Sequence, residues 1–593
     1  MNASTLLEVL VKHSENTTSE SALHCWSAND KDYIPVSYRD LSQRAFAFGA
    51  GIQNTTNGNA KERVVMIACH SPYATLVAFY GAISVGAIPM IFPMPLSLGS
   101  HEALTERIDY WGFAFNDPAL LVLEEGLTEK FHDEIPTDIQ VLRLSEDPND
   151  EWQQQTQPAS DFVPGIKDIA FFQTTSSSTG DHKAVSISHE NIMANVTGIK
   201  QASKMTDNER MATWLPLFHD MGLVGTVLFC FGNDFPLYIM TPTQFVKRPS
   251  NWVKTLADKN CTIATMPNFG FDYCTRLVSD KDIPSIDLNK IKHLYIGAEP
   301  IRVSTVKGFI DKFAPCGITP QKIRPAYGLA ESTIITSIFD PEDTANFLYV
   351  DSDSIGMGEQ IKVLDKVRFD EKKLADYDSN TAMAVCTGGS AIKDMLIEII
   401  DGNGNTLPEG TSGEIAITGT SVAMGYVDGD DDGSGLVNEF EQGRLGTGDM
   451  GTIIDGELYI LERIKNLIIR NGENYLVSAL EEQLAELLDI SHEHVAVFDS
   501  DIHDPNSDIV VMVERHKPIS EDGVDELLVA MPKEAFPINK ILLSKSREIP
   551  RTTSGKKRHF YCRKMYQKDE IVFQQAIEIS PQRIMQAMKK QNS

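Results

Sequence analysis

The stretch Asp168–Val185, DIAFFQTTSSSTGDHKAV, joins an apolar strand pattern to a loop rich in hydroxyl groups. The strand pattern ends at Gln173, and a Ser/Thr/Gly run then leads to Lys183. In α/β sheets, ligands collect at loops that follow the carboxyl ends of strands. Backbone N–H groups, hydroxyls and a lysine in such a loop can hold an anion. The stretch therefore predicts a phosphate-binding loop in an α/β fold, although a plain surface turn uses the same residue types.

Strand and helix patterns alternate on both sides of this loop. ERVVMIAC, CTIATMP, IKHLYIGAEP and GEIAITG all have the apolar pattern of buried strands. The helical pattern SPYATLVAFYGAISVG follows the first of these strands. Such alternation predicts an α/β fold with layered, mostly parallel sheets. The long uncharged run TLVAFYGAISVGAIPMIFPMPL is interrupted by Gly81, Gly86 and Pro89, so it predicts a buried helix and strand rather than a membrane span.

Composition and charge limit the functional classes. The chain has 593 residues, enough for several domains, and a net charge of −30. This charge disfavours nonspecific nucleic-acid binding and adsorption to anionic membranes. Cysteines in apolar stretches, such as Cys69, Cys230 and Cys386, are expected to be buried free thiols. Because the N-terminal segment lacks the apolar core of a signal peptide, the sequence predicts a cytoplasmic protein without an integral membrane segment.

Six further segments follow the loop in a defined order. They are WLPLFHDMGLVG (Trp214–Gly225), IGAEPIR (Ile296–Arg302), PAYGLAEST (Pro325–Thr333), RLGTGDMG (Arg444–Gly451), ERIKNLIIRNGEN (Glu462–Asn474) and PRTTSGKKR (Pro550–Arg558). Together with the loop, they resemble the adenylate-forming superfamily of acyl-CoA synthetases, adenylation domains and luciferases. They look most like its fatty acyl-AMP ligase branch, and the resemblance covers nearly the whole chain.

The resemblance implies two half-reactions. ATP, with Mg²⁺, first converts a fatty acid to an acyl-adenylate and releases pyrophosphate. The acyl group then passes to the phosphopantetheine thiol of an acyl carrier protein, which must be a separate chain because no DSL-type serine site is present here. A fatty acyl-CoA synthetase is the alternative within the superfamily. A catalytically degenerate nucleotide- or lipid-binding homologue is the alternative from another class.

The resemblance also implies a two-domain organisation. A large N-terminal domain with several subdomains is expected over residues 1–462, with a family insertion around 340–384. A small, mobile α/β domain is expected over residues 463–593, with its hinge near Lys465. The chain itself changes character here, because a hairpin-like DGELYIL gives way to a charged joint and an amphipathic helix. An ordinary linker lysine is the alternative interpretation of Lys465.

The nucleotide-binding residues are assigned by matching the family motifs. The phosphate loop matches Thr175, Ser176, Ser178, Thr179, Gly180 and Lys183. The wall beside the adenine matches Gly297, Ala298 and Glu299, and Tyr327, followed by Gly328, matches the ring stacked on it. Asp449 matches the ribose ligand, and Arg463 matches a second ribose or phosphate contact.

The catalytic residues are assigned in the same way. Glu331 matches the magnesium ligand, and a carboxylate oxygen suits that ion. Lys556 matches the lysine that bridges the substrate carboxylate and the α-phosphate. His219 resembles the gate of the acyl pocket. Taken singly, each of these residues has a structural interpretation, such as a loop histidine or a solvated lysine.

The loop departs from the family pattern SGSTG-x-PKG at three positions. Ser177 replaces the first glycine, His182 replaces the proline, and Ala184 replaces the last glycine. Ser177 would be strained if its position required a positive φ, which only glycine adopts freely. The hydroxyls, Gly180 and Lys183 remain, so we expect a working loop.

Three other features bear on partners and metals. In acyl-AMP ligases, the insertion expected around residues 340–384 is thought to disfavour coenzyme A by limiting domain motion. The basic segment 545–568 is a plausible face for an acidic carrier protein, unless its charges serve only the Lys556 site and solubility. Asp428–Glu439 fits the spacing of an EF-hand loop, but no helical pattern precedes it, and an acidic surface loop is the favoured interpretation.

Overall fold

The computed structural model describes residues 4–16, 23–94, 102–114, 120–125, 127, 135, 139–145, 161–175, 183–377, 382–428, 437–440, 443–470, 473–501, 504, 507–531, 537–545, 547–551 and 557–591. Its strands are β1 Leu23–Ser27, β2 Asp32–Val36, β3 Val64–Ala68, β4 Ile88–Ile91, β5 Leu120–Glu124, β6 Gln140–Leu144, β7 Ile169–Thr174, β8 Lys183–Ser188, β9 Met211–Thr213, β10 Leu237–Ile239, β11 Ile263–Met266, β12 His293–Ile296, β13 Ile323–Tyr327, β14 Ser337–Ile338, β15 Asn346–Asp351, β16 Val363–Arg368, β17 Ala382–Ala391, β18 Met395–Ile400, β19 Gly413–Gly419, β20 Gly425–Asp428, β21 Val437–Glu439, β22 Arg444–Ile454, β23 Glu457–Arg463, β24 Leu467–Arg470, β25 Glu473–Leu476, β26 Val495–Asp499, β27 Ile509–Glu514, β28 Ile538–Ser544 and β29 Gln575–Glu578.

The helices alternate with these strands along much of the chain. They are α1 Leu6–Glu15, α2 Tyr38–Thr55, α3 Pro72–Ser84, α4 Glu102–Ala114, α5 His189–Ala202, α6 Asp220–Gly222, α7 Phe229–Asn233, α8 Pro242–Lys247, α9 Pro249–Asp258, α10 Asn268–Leu277, α11 Val303–Phe313, α12 Val477–Leu487, α13 Glu521–Ala530, α14 His559–Gln567 and α15 Pro581–Gln591. A π-helical turn, Leu223–Leu228, joins α6 to α7.

The largest sheet, which we call the large sheet, has a parallel half and an antiparallel half. β1, β10, β9, β11, β12 and β13 are parallel neighbours, as the alternation of strands with α9, α10 and α11 predicts. Beyond β13 the order continues through β14, β17, β23, β22, β19 and β18, all antiparallel. Asp455 and Gly456, both at positive φ, form the tight turn between β22 and β23.

A second sheet lies across a layer of helices from the large sheet. Its order is β21-β20-β8-β7-β4-β3-β5-β6, and the run from β7 to β6 is parallel. One apolar core lies between the two sheets and contains residues of α2, α3 and α5, while separate cores cover the outer faces of the sheets. The predicted α/β fold with layered sheets is therefore confirmed, and the apolar run after Ser71 is the buried helix α3 and strand β4.

The chain after β23 forms two smaller β units. β24 pairs with β25 as a hairpin, and β26, β27, β28 and β29 form a four-stranded sheet. Alternate residues of β27 point to opposite faces of that sheet, so Val511 and Val513 pack with α12 and α13, whereas Met512 packs with α14. The domain boundary near Lys465 stays a prediction; in the structure, Lys465 lies in a single 3₁₀ turn between β23 and β24.

Two further expectations concern the cysteines and membrane-spanning helices. Cys69, Cys230 and Cys386 are buried free thiols, as predicted. Within the described ranges, none of the helices combines the length and the apolar character needed to cross a membrane.

Candidate active site

A cavity of about 1720 Å³ lies where the large sheet, the second sheet and the C-terminal units meet. Typical small-molecule pockets measure about 300–1,000 Å³, so this cavity has room for more than a nucleotide. The predicted site residues within the described ranges all line it. They are Thr175, Lys183, His219, Gly297, Ala298, Glu299, Tyr327, Gly328, Glu331, Asp449, Arg463 and Lys465. Ser176, Ser178, Thr179, Gly180 and Lys556 lie outside the described residues, as do Ser177 and His182.

The predicted phosphate loop is the connection of a β-hairpin. β7 and β8 are antiparallel, and the Thr175 amide and hydroxyl both donate to the Lys183 carbonyl, at 3.1 and 3.2 Å. Lys183 is the first residue of β8 and lines the cavity. Ala184 is buried and extended, between Thr174 and Val427, so the alanine at this family glycine position causes no backbone strain.

The centre of the polar part of the cavity is a network of three side chains. The Tyr327 hydroxyl, at the end of β13, donates to Asp449 Oδ2 at 2.8 Å. Asp449 Oδ1 lies 3.0 Å from Arg463 Nε, because the two residues are direct partners in the β22–β23 pairing. Asp449 raises the pKa of the Arg463 guanidinium. Burial, with Asp449 nearby, holds the pKa of Tyr327 well above its usual value, so this hydroxyl stays a donor.

Two positions that line the cavity require glycine because backbone segments approach each other closely there. A Cβ on Gly328 would lie 1.6 Å from the Ile334 carbonyl oxygen, and one on Gly297 would lie 2.4 Å from that of Ala326. Neither distance is sterically possible, so only glycine fits. Ala298 follows with φ +70°, a conformation that non-glycine residues seldom adopt and that is often found at functional sites. These constraints bring two backbone segments close together beside the polar network.

Glu331 lies in a 3₁₀ turn that faces the second sheet across the cavity. Its Oε1 accepts a hydrogen bond of 2.6 Å from the Tyr426 hydroxyl, and its carbonyl accepts from the Ala423 amide at 2.8 Å. Burial raises the pKa of Glu331 above its usual value. The two hydrogen bonds hold the side chain and the backbone of Glu331 at a defined place on the cavity surface.

His219 precedes α6 and caps it. Its Nδ1 lies 3.2 Å from the Met221 amide nitrogen and 2.5 Å from Asp220 Oδ1. The neighbouring Phe218 carbonyl accepts from the Gln173 side-chain amide at 2.7 Å. Gln173 thus ties the start of the phosphate loop to the His219 segment.

An apolar branch of the cavity extends into the core between the sheets. It is lined by side chains from α5, β9, β11, β12, β14 and α7 together with the turn after Glu331, and all of them are buried. They are Ile199, Met211, Phe229, Ile263, Tyr295, Ile334 and Ile338. The cavity therefore combines a charged region with a hydrocarbon-like one.

The C-terminal units supply the opposite wall. Arg551 and Lys557 form an isolated β-bridge, and both line the cavity on either side of the segment that contains Lys556. Lys557 Nζ pairs with the buried Glu481 carboxylate of α12 and also donates to the Val495 carbonyl at 2.7 Å. His559 Nε2 lies 2.7 Å from the other Glu481 oxygen. Although burial favours the neutral acid, Lys557 and His559 hold the pKa of Glu481 below its usual value.

Polar contacts also join the C-terminal units to the loops that follow β12 and precede β17. Arg302 donates to His492 and also pairs with Asp272 at 2.8 Å. Burial and the charges of Arg302 and Lys557 lower the pKa of His492 to about 2, so the ring is neutral and accepts. The Tyr377 hydroxyl, from the segment predicted as an insertion, donates to Glu482 Oε1 at 3.0 Å.

The sequence analysis missed four residues that line the cavity beside the predicted ones: Gln173, Tyr426, Glu481 and Lys557. Glu481 did leave a signal, because it lies in the apolar stripe Val477, Leu480, Leu484 of an amphipathic helix. A glutamate in such a stripe requires a buried cationic partner. Tyr426 and Gln173 left no such signal, since their partners are distant in sequence.

Comparison with known proteins agrees with this geometry. The chain belongs to the family of AMP-binding enzymes, whose model matches residues 11–427. It is 29% identical to the long-chain-fatty-acid–AMP ligase FadD32 of Mycolicibacterium smegmatis, over 91% of this chain and 90% of that one. It is 27% identical to the medium-chain-fatty-acid–[acyl-carrier-protein] ligase JamA of Moorena producens, over 94% of each. A solved chain from a study of fatty acyl-adenylate ligases of E. coli and L. pneumophila matches with TM-score 0.78 and 25% identity, covering 95% of this chain and 98% of that chain.

Proposed function

We propose that the protein is a fatty acyl-AMP ligase that activates a fatty acid with ATP and passes the acyl group to a separate acyl carrier protein. The main support is a single cavity in which the Tyr327–Asp449–Arg463 network meets a buried apolar branch. The relatives named above act on fatty acids, and one of them is a carrier-protein ligase. ATP is the substrate expected for this family of AMP-binding enzymes.

In the first half-reaction, a carboxylate oxygen of the fatty acid attacks the α-phosphorus of ATP. A new O–P bond forms, the bond between the α-phosphorus and the bridging oxygen breaks, and pyrophosphate leaves with the electron pair. Asp449 would accept hydrogen bonds from the ribose hydroxyls, and the closely packed backbone at Gly297 and Gly328 would form the wall beside the adenine. Lys183 and Lys556 would balance the charge that builds in the transition state.

The donor set at Glu331 fits a divalent cation. No cluster of three or more metal-ligating side chains occurs among the described residues. Mg²⁺ characteristically takes one or two carboxylates and completes its coordination with phosphate oxygens and water. Glu331 would therefore hold Mg²⁺ against the nucleotide, and the ion would neutralise phosphate charge.

In the second half-reaction, the carrier's thiol sulfur attacks the acyl carbon and AMP leaves as the acyl–oxygen bond breaks; the thiol gives up its proton. We infer that residues 463–593 rotate about Lys465 between the two steps, which would withdraw Lys556 and admit the thiol. The contact between Tyr377 and Glu482 supports a role for the 340–384 segment in limiting this rotation. A cytoplasmic location stays a prediction that cell fractionation would test.

The proposal is tested by incubating the protein with ATP, Mg²⁺ and fatty acids of several chain lengths. We expect acyl-AMP and pyrophosphate, detected by mass spectrometry and a coupled phosphate assay. Holo carrier protein and coenzyme A are then offered in parallel, and transfer to the carrier is expected. Absence of acyl-AMP across the whole acid panel would refute the ligase, and efficient acyl-CoA formation would refute the acyl-AMP ligase branch.

A further inference from the structure

Tyr426 lies between Glu331 and Lys183, the residue that ends the predicted phosphate loop. It belongs to β20, which runs antiparallel to β8, and it is paired directly with Val185. Lys183 lies two residues before Val185, on the same face of β8. The sheet register therefore places Tyr426 beside the lysine that ends the predicted phosphate loop.

The side chain of Tyr426 contacts both neighbours. Its hydroxyl donates to Glu331 Oε1 at 2.6 Å, and Lys183 Nζ lies 5.6 Å from the centroid of its ring. Phe440 packs edge-on against the ring, with centroids 5.2 Å apart.

We propose that Tyr426 is a positioning residue whose hydroxyl fixes the Glu331 carboxylate for the divalent cation of the nucleotide and whose ring steadies Lys183. The inference rests on the proposed function for the identity of the ligand, Mg·ATP. A free glutamate side chain loses rotamer entropy when it is fixed. The hydrogen bond from Tyr426 orders the carboxylate before the ligand arrives, so less of this entropy is lost on binding.

The test compares Tyr426→Phe with a matched control, Tyr459→Phe. Tyr459, which is buried where Tyr426 is half-buried, also donates to a glutamate, Glu457, at 2.8 Å, but neither Tyr459 nor Glu457 lines the cavity. ATP binding to the full chain is measured by isothermal titration calorimetry, once with Mg²⁺ and once in EDTA. Tyr426→Phe should weaken Mg·ATP binding roughly tenfold, the usual size for a hydrogen bond to a charged group, and leave metal-free ATP binding within about twofold.

A second variant separates the ring from the hydroxyl. Tyr426→Leu removes both, so metal-free ATP binding should also weaken, by about two- to fivefold, as expected for a lost cation–π contact. Unchanged Mg·ATP binding by Tyr426→Phe, or equal weakening with and without Mg²⁺, would overturn the inference. Tyr459→Phe should match the wild type in both titrations, and weakening in this control equal to that of Tyr426→Phe would also overturn it.

These titrations contain no fatty acid, so their outcome is independent of the acyl substrate. If no acid yields acyl-AMP, the proposed function fails, whereas the role of Tyr426 is still decided by the difference between Mg·ATP and ATP binding.

Discussion

Two carboxylates line the same cavity, and they are built into the protein in different ways. Asp449 lies on a strand and meets Arg463 through the register of a β-hairpin in the large sheet. Glu481 lies on the buried face of α12 and pairs with Lys557 and His559. These two residues follow Lys556 by one and three positions in the sequence. The difference indicates a division of roles. We infer that the large sheet presents the predicted nucleotide-binding groups, while a buried ion network in the C-terminal units holds Lys557, the residue that follows the predicted reactive lysine.

Lys556→Ala tests this division most strongly. Because Lys556 is predicted to stabilise charge only in the transition state, acyl-AMP formation should fall about 100- to 1,000-fold. The dissociation constant of ATP should change by no more than about threefold, since ground-state binding does not depend on this charge. Single-turnover kinetics and calorimetry provide the two measurements, with Lys568→Ala, an exposed lysine of the same basic segment, as control. An equal loss of acyl-AMP formation and of ATP affinity would contradict the role assigned to Lys556.

Asp449→Asn tests the other half of the comparison. The substitution removes the charge that pairs with Arg463 and weakens acceptance from Tyr327 and the ribose, so ATP binding should weaken about 10- to 100-fold. Asp455→Asn changes an exposed aspartate in the turn of the same hairpin and should have almost no effect. Calorimetry with both variants checks the prediction. Equal ATP affinity in the two would show that Asp449 is not a nucleotide ligand.

Glu481→Gln should slow catalysis less than Lys556→Ala does, and it should also destabilise the fold. Acyl-AMP formation should slow about tenfold because the segment beside Lys557 loses its anchor. The free energy of unfolding should fall by about 3–5 kcal/mol, since Lys557 is left buried without its charged partner. Glu486→Gln, on the exposed side of the same helix, is the control for both measurements.

The stability effect has a defined pH dependence. The folded-state pKa of Glu481 lies below its ordinary 4.5, so its ion pairs contribute full stability above that pH. This contribution is lost as the pH falls through the folded-state pKa. Denaturant titrations should therefore give a difference between wild type and Glu481→Gln that shrinks as the pH falls below 4.5. A difference that grew as the pH fell below 4.5 would show that the carboxylate is not stabilised as an ion.

Tyr377→Phe should give the smallest effect. It removes the hydrogen bond between the 340–384 segment and Glu482, so the C-terminal units should rotate more freely and acyl transfer to coenzyme A should rise a few-fold. Tyr349→Phe is the control, because its hydroxyl donates to Leu374 within the same segment at 2.5 Å. If both variants showed the same preference between coenzyme A and the carrier protein, the contact between Tyr377 and Glu482 would have no part in the choice of acceptor.

The sequence predicted the strands and helices whose patterns are local. The buried run that forms α3 and β4, the hairpin β22–β23 and the helix α12 are examples. It did not predict the antiparallel half of the large sheet, because strand direction depends on partners far along the chain. For the same reason, the contact between Glu331 and Tyr426, separated by 95 positions, could not be inferred. Motif order predicted which residues share the cavity, whereas the contacts that fix them depend on sheet register.

Fatty-acid-dependent exchange of labelled pyrophosphate into ATP tests the central claim most directly, because it reports reversible acyl-adenylate formation without a carrier protein. The wild-type protein, with Mg²⁺, should exchange label only when a fatty acid of accepted length is present, and Lys556→Ala should reduce the exchange at least about 100-fold. Exchange that is absent with every fatty acid, or that proceeds equally well without any acid, would contradict the account.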